Sequence, residues 1–501
     1  RSGVGRAREI ACHCASETVP PSIPDPLQHT PMKTNLFLVA ALLSATAIPA
    51  QVVSHYWIDA VNGSDLNLGT QAQPFKSLTW AVGTQTNDLH IHVLPGVYGP
   101  TTTGDFWDPV TNAASQLRIG SYQNIKITGV DRDTCILDFE FGDGLWGFIN
   151  ITSNSTDVEI SHLSMRNAGP TPWANGAIVV DYGATNVDIH NCYFEQTYST
   201  FIIWRGFDVA FHDNVIVDVA PNTYAYPSVG VRVRTDGTNG DRTYIYNNTF
   251  HGIGQGVSWS NNNGSPPQQW IINNVVLDSV TPGGWGFPND VYGGSNIVFE
   301  NNLAFNCVSG NYGPTVGPNG TAPALSATNL EVDPMLANPG AGDFSLLAGS
   351  PCIDSGSPMT HPFMMNDYEG NNRAVDSDEN GTAIPDRGAI ETTDLTLTVS
   401  NFALGQTAVL DVQSPNLGTW TIGALFMSFS KAPSYNGWWG MLGPDPASVA
   451  TLIGVPGMQF QLILPPNPSF SGLWIHSQFI GLKLIGNPGV LKGSGMSSNV
   501  L

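Results

Sequence analysis

Six short stretches share one pattern: Val158-Glu-Ile-Ser-His162, Val187-Asp-Ile-His-Asn191, Val209-Ala-Phe-His-Asp213, Tyr244-Ile-Tyr-Asn-Asn248, Trp270-Ile-Ile-Asn-Asn274 and Ile297-Val-Phe-Glu-Asn301. Each places apolar residues two apart, then a polar turn residue, most often Asn. A second alternating strand follows, such as Tyr193-Phe194 or Leu303-Ala304. Ile125-Lys-Ile-Thr-Gly129 is a weaker copy, and the turn positions 129, 162, 191, 213, 247, 273 and 301 are spaced by 22 to 34 residues. Alternation at period two means strands with one buried face. A recurrence of this length with variable insertions fits one coil of a right-handed parallel β-helix per repeat. Asn suits the corner because its side chain tolerates left-handed backbone geometry and bonds its own backbone. Stacked coils also let it bond the Asn of the next turn, so these residues are read as scaffold.

Composition supports an all-β chain. Of 501 residues, 54 are Gly, 36 are Pro and only 12% are charged, which suits turn-rich β structure. The net charge of −22 excludes nucleic acid as an expected partner, because phosphate neutralisation needs clustered Lys and Arg. Between Gln51 and Thr393 there are 34 acidic and 11 basic residues, and from Asp394 onward three of each. That shift marks a boundary near Asp394. Residues 51–392 are assigned to the β-helix with an N-terminal cap and a closing segment. Residues 394–501, with Leu395-Thr-Leu-Thr-Val399, Ala408-Val-Leu-Asp-Val412 and Gln459-Phe-Gln-Leu-Ile-Leu464, are read as a small C-terminal β-sandwich.

Met32-Lys33 leads into an apolar run from Leu36 to Ala50 with small residues at Ala45, Ala47 and Ala50. This is the pattern of a secretory signal peptide over 32–50, too short for a confident membrane span. Residues 1–31 are then a non-native upstream extension. The mature chain is expected to be secreted or held at the cell surface, with no membrane span, and to act as a monomer. Cys135, Cys192, Cys307 and Cys352 remain after cleavage. Export permits disulfides, while burial as free thiols inside the coil is the equal alternative. None of the four has the spacing of a zinc site.

Flanking stretches add a resemblance. Asp59-Ala-Val-Asn-Gly-Ser-Asp-Leu-Asn-Leu-Gly-Thr70, Pro74-Phe-Lys-Ser-Leu78 and His92-Val-Leu-Pro-Gly-Val-Tyr98 resemble the opening segment of secreted, pectate-lyase-like β-helix proteins. The resemblance implies a first strand, a Gly-rich loop and a short helix capping the coil. Gly349-Ser-Pro-Cys-Ile-Asp-Ser-Gly356, Arg373 and Asp386-Arg-Gly-Ala-Ile-Glu391 resemble the closing segment of many such bacterial proteins. Gly472-Leu-Trp-Ile-His-Ser-Gln-Phe479 resembles a C-terminal module of exported planctomycete-type proteins, which implies surface attachment or sorting. The β-helix fold hosts lyases, hydrolases, epimerases and non-catalytic adhesins, so activity must be argued from a site.

The candidate site lies on a second strand of each coil. Ile178-Val-Val-Asp181, Ile202-Ile-Trp-Arg205, Val231-Arg-Val-Arg234 and Val257-Ser-Trp-Ser260 occupy comparable places between the corner repeats. With Val231 and Val233 inward, Arg232 and Arg234 point outward. The same alignment sets Asp181, Arg205, Arg234 and Ser260 in one column, at a spacing of about 4.8 Å. Guanidinium groups bind carboxylates bidentately, as a uronate-containing polysaccharide would offer them. β-Elimination needs that carboxylate neutralised, a base for the neighbouring proton and an acid for the leaving oxygen. Arg205, Arg232 and Arg234 are candidates for neutralisation, with His251, Tyr224 or Tyr226 for proton transfer. Asp181, Trp204, Asp208, Asp236 and Trp259 complete the candidate substrate contacts. The plainer alternatives are arginines that relieve acidic crowding and tryptophans that pack the coil. Lys126 is the only lysine between Lys76 and Lys431, which disfavours a lysine base.

Hydrolysis requires a pair of suitably spaced carboxylates, such as Asp208 with Asp236, and the familiar polygalacturonase and epimerase motifs are absent. Asp376-Ser-Asp-Glu-Asn-Gly381 has the start of a Ca²⁺ loop, with Asp376, Asp378 and Asn380 as ligands, although Arg387 stands at the twelfth position. A structural Ca²⁺ is weighed there against a plain Asx-rich turn, and no other cofactor is required. The sequence thus leaves two readings: a lyase acting on acidic polysaccharide, and a non-catalytic surface or adhesion protein that uses the coil as a rigid carbohydrate-binding platform.

Overall fold

The chain is seen in a computed structural model that describes Thr34–Asn35 and residues 53–500. Excepted are 85–86, 109–112, 115, 142–146, 153, 170–175, 182, 205, 218–227, 236–241, 262–267, 281–283, 289–295, 314–325, 359–365, 378–381, 394 and short stretches between 415 and 496. Three long parallel sheets run the length of the coil and define a right-handed parallel β-helix. The first sheet holds the six quoted repeats, in strands from Ser54–Ile58 to Asn296–Glu300. The second begins at Gly96–Tyr98 and ends at Leu303–Phe305, and the third runs from Leu117–Gly120 to Gly310–Tyr312. Inward residues of successive coils stack as Ile127, Ile160, Ile189, Phe211, Ile245 and Ile271, all essentially inaccessible. This is period-two alternation turned into a continuous core.

At the corner, two neighbouring residues divide the work. His162, Asn191, Asp213, Asn247, Asn273 and Asn301 adopt left-handed backbone, with φ between 51° and 58°. The next residue faces inward and forms a ladder. Asn214, Asn248, Asn274, Asn302 and Asn329 pass amide hydrogen bonds from coil to coil at 3.0–3.2 Å. Cys192 occupies the ladder position one coil earlier, where its backbone N–H donates to Asn214 Oδ1 at 2.9 Å. Cys135, Cys192 and Cys352 are buried free thiols and Cys307 is a half-buried one. This resolves the disulfide question for these four in favour of thiols.

The N-terminal cap is a short helix, Leu78–Thr84, that turns Leu78, Ala81 and Val82 onto the coil. Buried Asp105 accepts from its first backbone N–H groups, Leu78 at 3.1 Å and Thr79 at 2.7 Å. The closing segment lies over the corner and the second sheet. Phe344, Tyr368 and Ala389 cover Val215 and Val217, and Arg387 donates to Thr328 O at 2.9 Å.

Beyond the coil, Thr396–Ser400, Thr407–Gln413 and Gln459–Ile463 form one antiparallel sheet. Ile422–Ser428, Ala450–Gly454, Trp474–Lys483, Val490–Gly493 and Ser497–Val500 form another. Leu410, Val412 and Phe460 of the first pack with Leu425, Met427 and Phe479 of the second, as in a β-sandwich. Thr34–Asn35, within the expected leader, pair in parallel with Phe460–Gln461.

Candidate functional site

The third sheet carries the arginine-bearing face. Val229–Thr235 pairs with Gln255–Asn261 in parallel, with Arg232 beside Ser258 and Arg234 beside Ser260. Val231 and Val233 are wholly buried, so the strand sends its arginine positions outward, as alternation predicts. Arg232 is half-buried. The register corrects one detail. Ile202 pairs with Arg232 and Ile203 with Val233, so the row of Arg234 continues to Trp204 rather than Arg205. Aligning the segments by their last residues shifted this coil by one, and Phe201 and Ile203 are its inward pair. Asp181 continues that row, its N–H donating to Ile151 O at 2.8 Å and Trp204 N–H to Val180 O at 2.9 Å.

Other candidates fall elsewhere. Trp259 follows Val257 at period two, is 3% exposed and tilts against Phe299 inside the coil, so it packs the core instead of offering a sugar platform. His251 belongs to the second sheet, with Nε2 3.4 Å from Asp278 Oδ2 and its ring edge-on to Phe344. It therefore faces the closing segment, away from the arginine strand. Asp208 lies on the first sheet and accepts from Arg242 Nη2 at 2.5 Å. Arg205, Tyr224, Tyr226, Asp236, Asp378, Asn380 and Trp173 lie outside the described residues, as does the side chain of Arg234. Asp376 is buried.

A dense polar array lies on the outer face of the first sheet. The positions alternating with the core form two columns. One contains His55, His90, Lys126, Glu159, Asp188, Ala210, Tyr244 and Trp270. The other contains Trp57, His92, Thr128, Ser161, His190, His212 and Tyr246. Lys126 Nζ donates to Glu159 Oε2 at 2.7 Å, and His190 Nε2 stands 3.6 Å from Glu159 Oε1. His212 bridges Asp188 at 2.9 Å and Asp213 at 2.7 Å, and its ring stacks between His190 and Tyr246. Burial works to lower the His212 pKa, but the two carboxylates overcome it and hold it up at about 9. Burial likewise opposes ionisation of Glu159 and Asp188. Their histidine neighbours, with Lys126 for Glu159, hold both below the usual carboxylate range. These carboxylates already hold cations, so the middle of the array is an ion-paired staple between coils.

Alternation within the repeats themselves could have revealed this array, since Glu159, Asp188, His190 and His212 are simply their outward members. A groove of about 390 Å³ lies between the second sheet and the closing segment, lined by Arg132, Arg166, Tyr193, Glu195, Tyr368 and Glu369. Arg132 sits 3.4 Å from the centre of the Tyr368 ring, and Arg166 donates to Asp138 Oδ2 at 2.7 Å.

No protein-family model matches the chain, and no curated protein sequence matches it. Solved structures do. A pectate lyase, Pel9A, aligns over 68% of this chain and 98% of its own, with 15% identity and a TM-score of 0.39. A rhamnogalacturonan lyase aligns over 56% and 86%, with 15% identity and a TM-score of 0.36. A tailspike mutant of the E. coli bacteriophage HK620, in complex with a pentasaccharide, aligns over 75% and 73%, with 13% identity and a TM-score of 0.33. A likeness at this level carries no assignment of chemistry.

Proposed function

We propose that this chain is an exported β-helix protein that binds acidic polysaccharide along the outer face of the third sheet. The observation that carries the reading is the strand Val229–Thr235, which places Arg232 and Arg234 at the positions alternating with buried Val231 and Val233 in an otherwise acidic coil. In its row Arg232 stands between Ile202 and Ser258, both buried, so in this reading a glycan is met by the arginines of one coil rather than by repeated rows of donors. Trp204, in the row of Arg234, adds an amphipathic ring of the kind that contacts sugars. In this reading the protein works at or outside the cell surface as a monomer, needs no cofactor, and Asp376, Asp378 and Asn380 either hold a structural Ca²⁺ or form a plain Asx-rich turn.

A second reading, β-elimination of uronates, rests on the same arginines acting as carboxylate neutralisers. Its proton-transfer group falls to Tyr224 or Tyr226, because His251 faces the closing segment. One experiment addresses both. The purified protein is incubated with a panel of uronate and neutral polysaccharides, following binding by calorimetry and unsaturated product by ultraviolet absorbance. Retention of uronate polymers but not neutral ones, lost in Arg232→Ala/Arg234→Ala, supports the binding reading. Product that disappears in the same variant supports elimination. Equal affinity for neutral polymers would sink both.

A further inference from the structure

We propose that His55, His90 and His92 form a binding site for one divalent transition-metal ion, zinc by chemistry, at the N-terminal end of the coil. His55 comes from Ser54–Ile58 and the other two from Asn87–Val93, adjacent parallel strands in which His55 pairs with His90 and Trp57 with His92. Alternation turns all three imidazoles to the same outer face, while Leu89, Ile91 and Val93 fill the core. One ring nitrogen from each lies within 4.8 Å of the others, and this is the sole such trio of His, Cys, Asp or Glu donors among the described residues.

The spacing suits coordination. Ligand nitrogens about 2.0–2.1 Å from a tetrahedral ion stand about 3.3 Å apart. His55 Nδ1 and His92 Nε2 are already separated by 3.0 Å. The rings are held in place: Trp57 stacks on His92 at 4.6 Å, His90 lies 4.1 Å from His92, and His90 Nε2 meets Thr128 Oγ1 at 3.2 Å. Such outer partners fix ring orientation and tautomer in metal sites.

Electrostatics agree with the geometry. Burial, then repulsion from neighbouring histidines, pushes His90 down to about 3 and His92 to about 4. Lys126, next to His90 on the following coil, is paired with Glu159, which offsets its repulsion of a cation. His90 and His92 are buried whereas His55 is half-buried, leaving an approach from solvent. Three nitrogen ligands leave a fourth position for water or an anionic oxygen. An ion here would also clip the first strand to the second at the N-terminal end of the solenoid.

The full chain, prepared without a polyhistidine tag and stripped with chelator, is titrated with zinc chloride by calorimetry and with Co²⁺ by visible absorption. Expected are one ion bound through this site, a rise in Tm with zinc, and the intense Co²⁺ bands of a four- or five-coordinate nitrogen site. His55→Ala, at the half-buried position, should weaken zinc at least tenfold with an unchanged circular dichroism spectrum. His90→Ala/His92→Ala should abolish the Co²⁺ bands. Zinc binding no tighter than millimolar in the unaltered chain, or undiminished binding in His55→Ala, would overturn the proposal.

Discussion

Arg373 donates through Nε to Oδ1 of Asp213 at 2.9 Å, across 160 residues of chain, and both side chains are wholly buried. Its remaining donors are used as well: Nη1 meets Glu391 Oε2 at 3.2 Å, and Nη2 reaches Gly388 O at 2.9 Å and Ala389 O at 2.6 Å. Asp213 is itself a corner residue bonded to His212. One guanidinium therefore joins the closing segment, the corner and the outer array of the first sheet.

Removing that guanidinium takes from two buried acidic side chains the cation they share, leaving Asp213 with His212 and Glu391 with the backbone N–H groups of Val375 and Asp386. Arg373→Met should cost about 3–5 kcal/mol, the range for breaking a buried pair by deleting one partner. Urea unfolding followed by tryptophan fluorescence measures it. Arg373→Lys should recover only part of the loss, because an ammonium cannot serve donors spread over so wide a fork.

The Asn ladder should be most sensitive at its middle. The two hydrogens of Asn248 Nδ2 are shared among Phe211 O and Tyr246 O, both at 2.9 Å, and Asn274 Oδ1 at 3.0 Å, while its Oδ1 accepts from Asn214. Asn248→Ala leaves several buried groups unpaired at about 1–3 kcal/mol each, for an expected loss of about 3 kcal/mol or more. Asn329→Ala, the last ladder member among the described residues, should cost less. Thermal and urea unfolding of the pair of variants compare the two.

Stability should fall on the alkaline side through His212. Its folded pKa of about 9 lies above the unfolded value of 6.5, so its contribution is complete below 6.5 and is lost as pH rises through 9. Shifts of this size amount to about 3 kcal/mol. Asp188 and Glu159 behave oppositely. Their folded pKa values are depressed, so their contribution holds above the unfolded values and disappears as pH falls through the folded ones. Unfolding midpoints from pH 6 to 10 should decline in the unaltered protein and flatten in His212→Asn.

Thiol chemistry offers an independent check on the interior. Burial pushes Cys192 and Cys352 up to about 12, and alkylation requires the thiolate. Iodoacetamide at pH 8 should leave both unmodified in the native chain and modify both in guanidinium. Dithiothreitol should leave Tm unchanged.

On the outer face of the third sheet, Arg232→Ala and Arg234→Ala should each weaken uronate binding. Losing a charge-assisted hydrogen bond costs about 1.5–3 kcal/mol, or about tenfold to hundredfold in affinity. Raising salt should weaken the unaltered protein more than either variant, which isothermal titration at two ionic strengths will show.

The coil was legible from local chemistry. Repeats such as Val187-Asp-Ile-His-Asn191 carry alternation, corner residue and following strand in a handful of positions, and parallel stacking is the one way to bury their shared face. The outward position of Arg232 follows from the same period. Their neighbours were not legible. A one-residue change of register exchanges inside and outside, which is why Trp204 holds the row expected for Arg205. Trp259 was readable, since period two from Val257 puts it inward beside Val233. His251 obeys its own strand's alternation, but only the winding of the chain decides which of three sheets that strand joins.

Sequence by itself determined the period, the corners and the acidic, turn-rich character of the coil, because these depend on residues only two or three positions apart. Tertiary structure alone decided which distant residues meet. His55 and His92 are 37 positions apart and Asp213 and Arg373 are 160, and no local rule reports the loop lengths and register that bring such pairs within hydrogen-bonding distance.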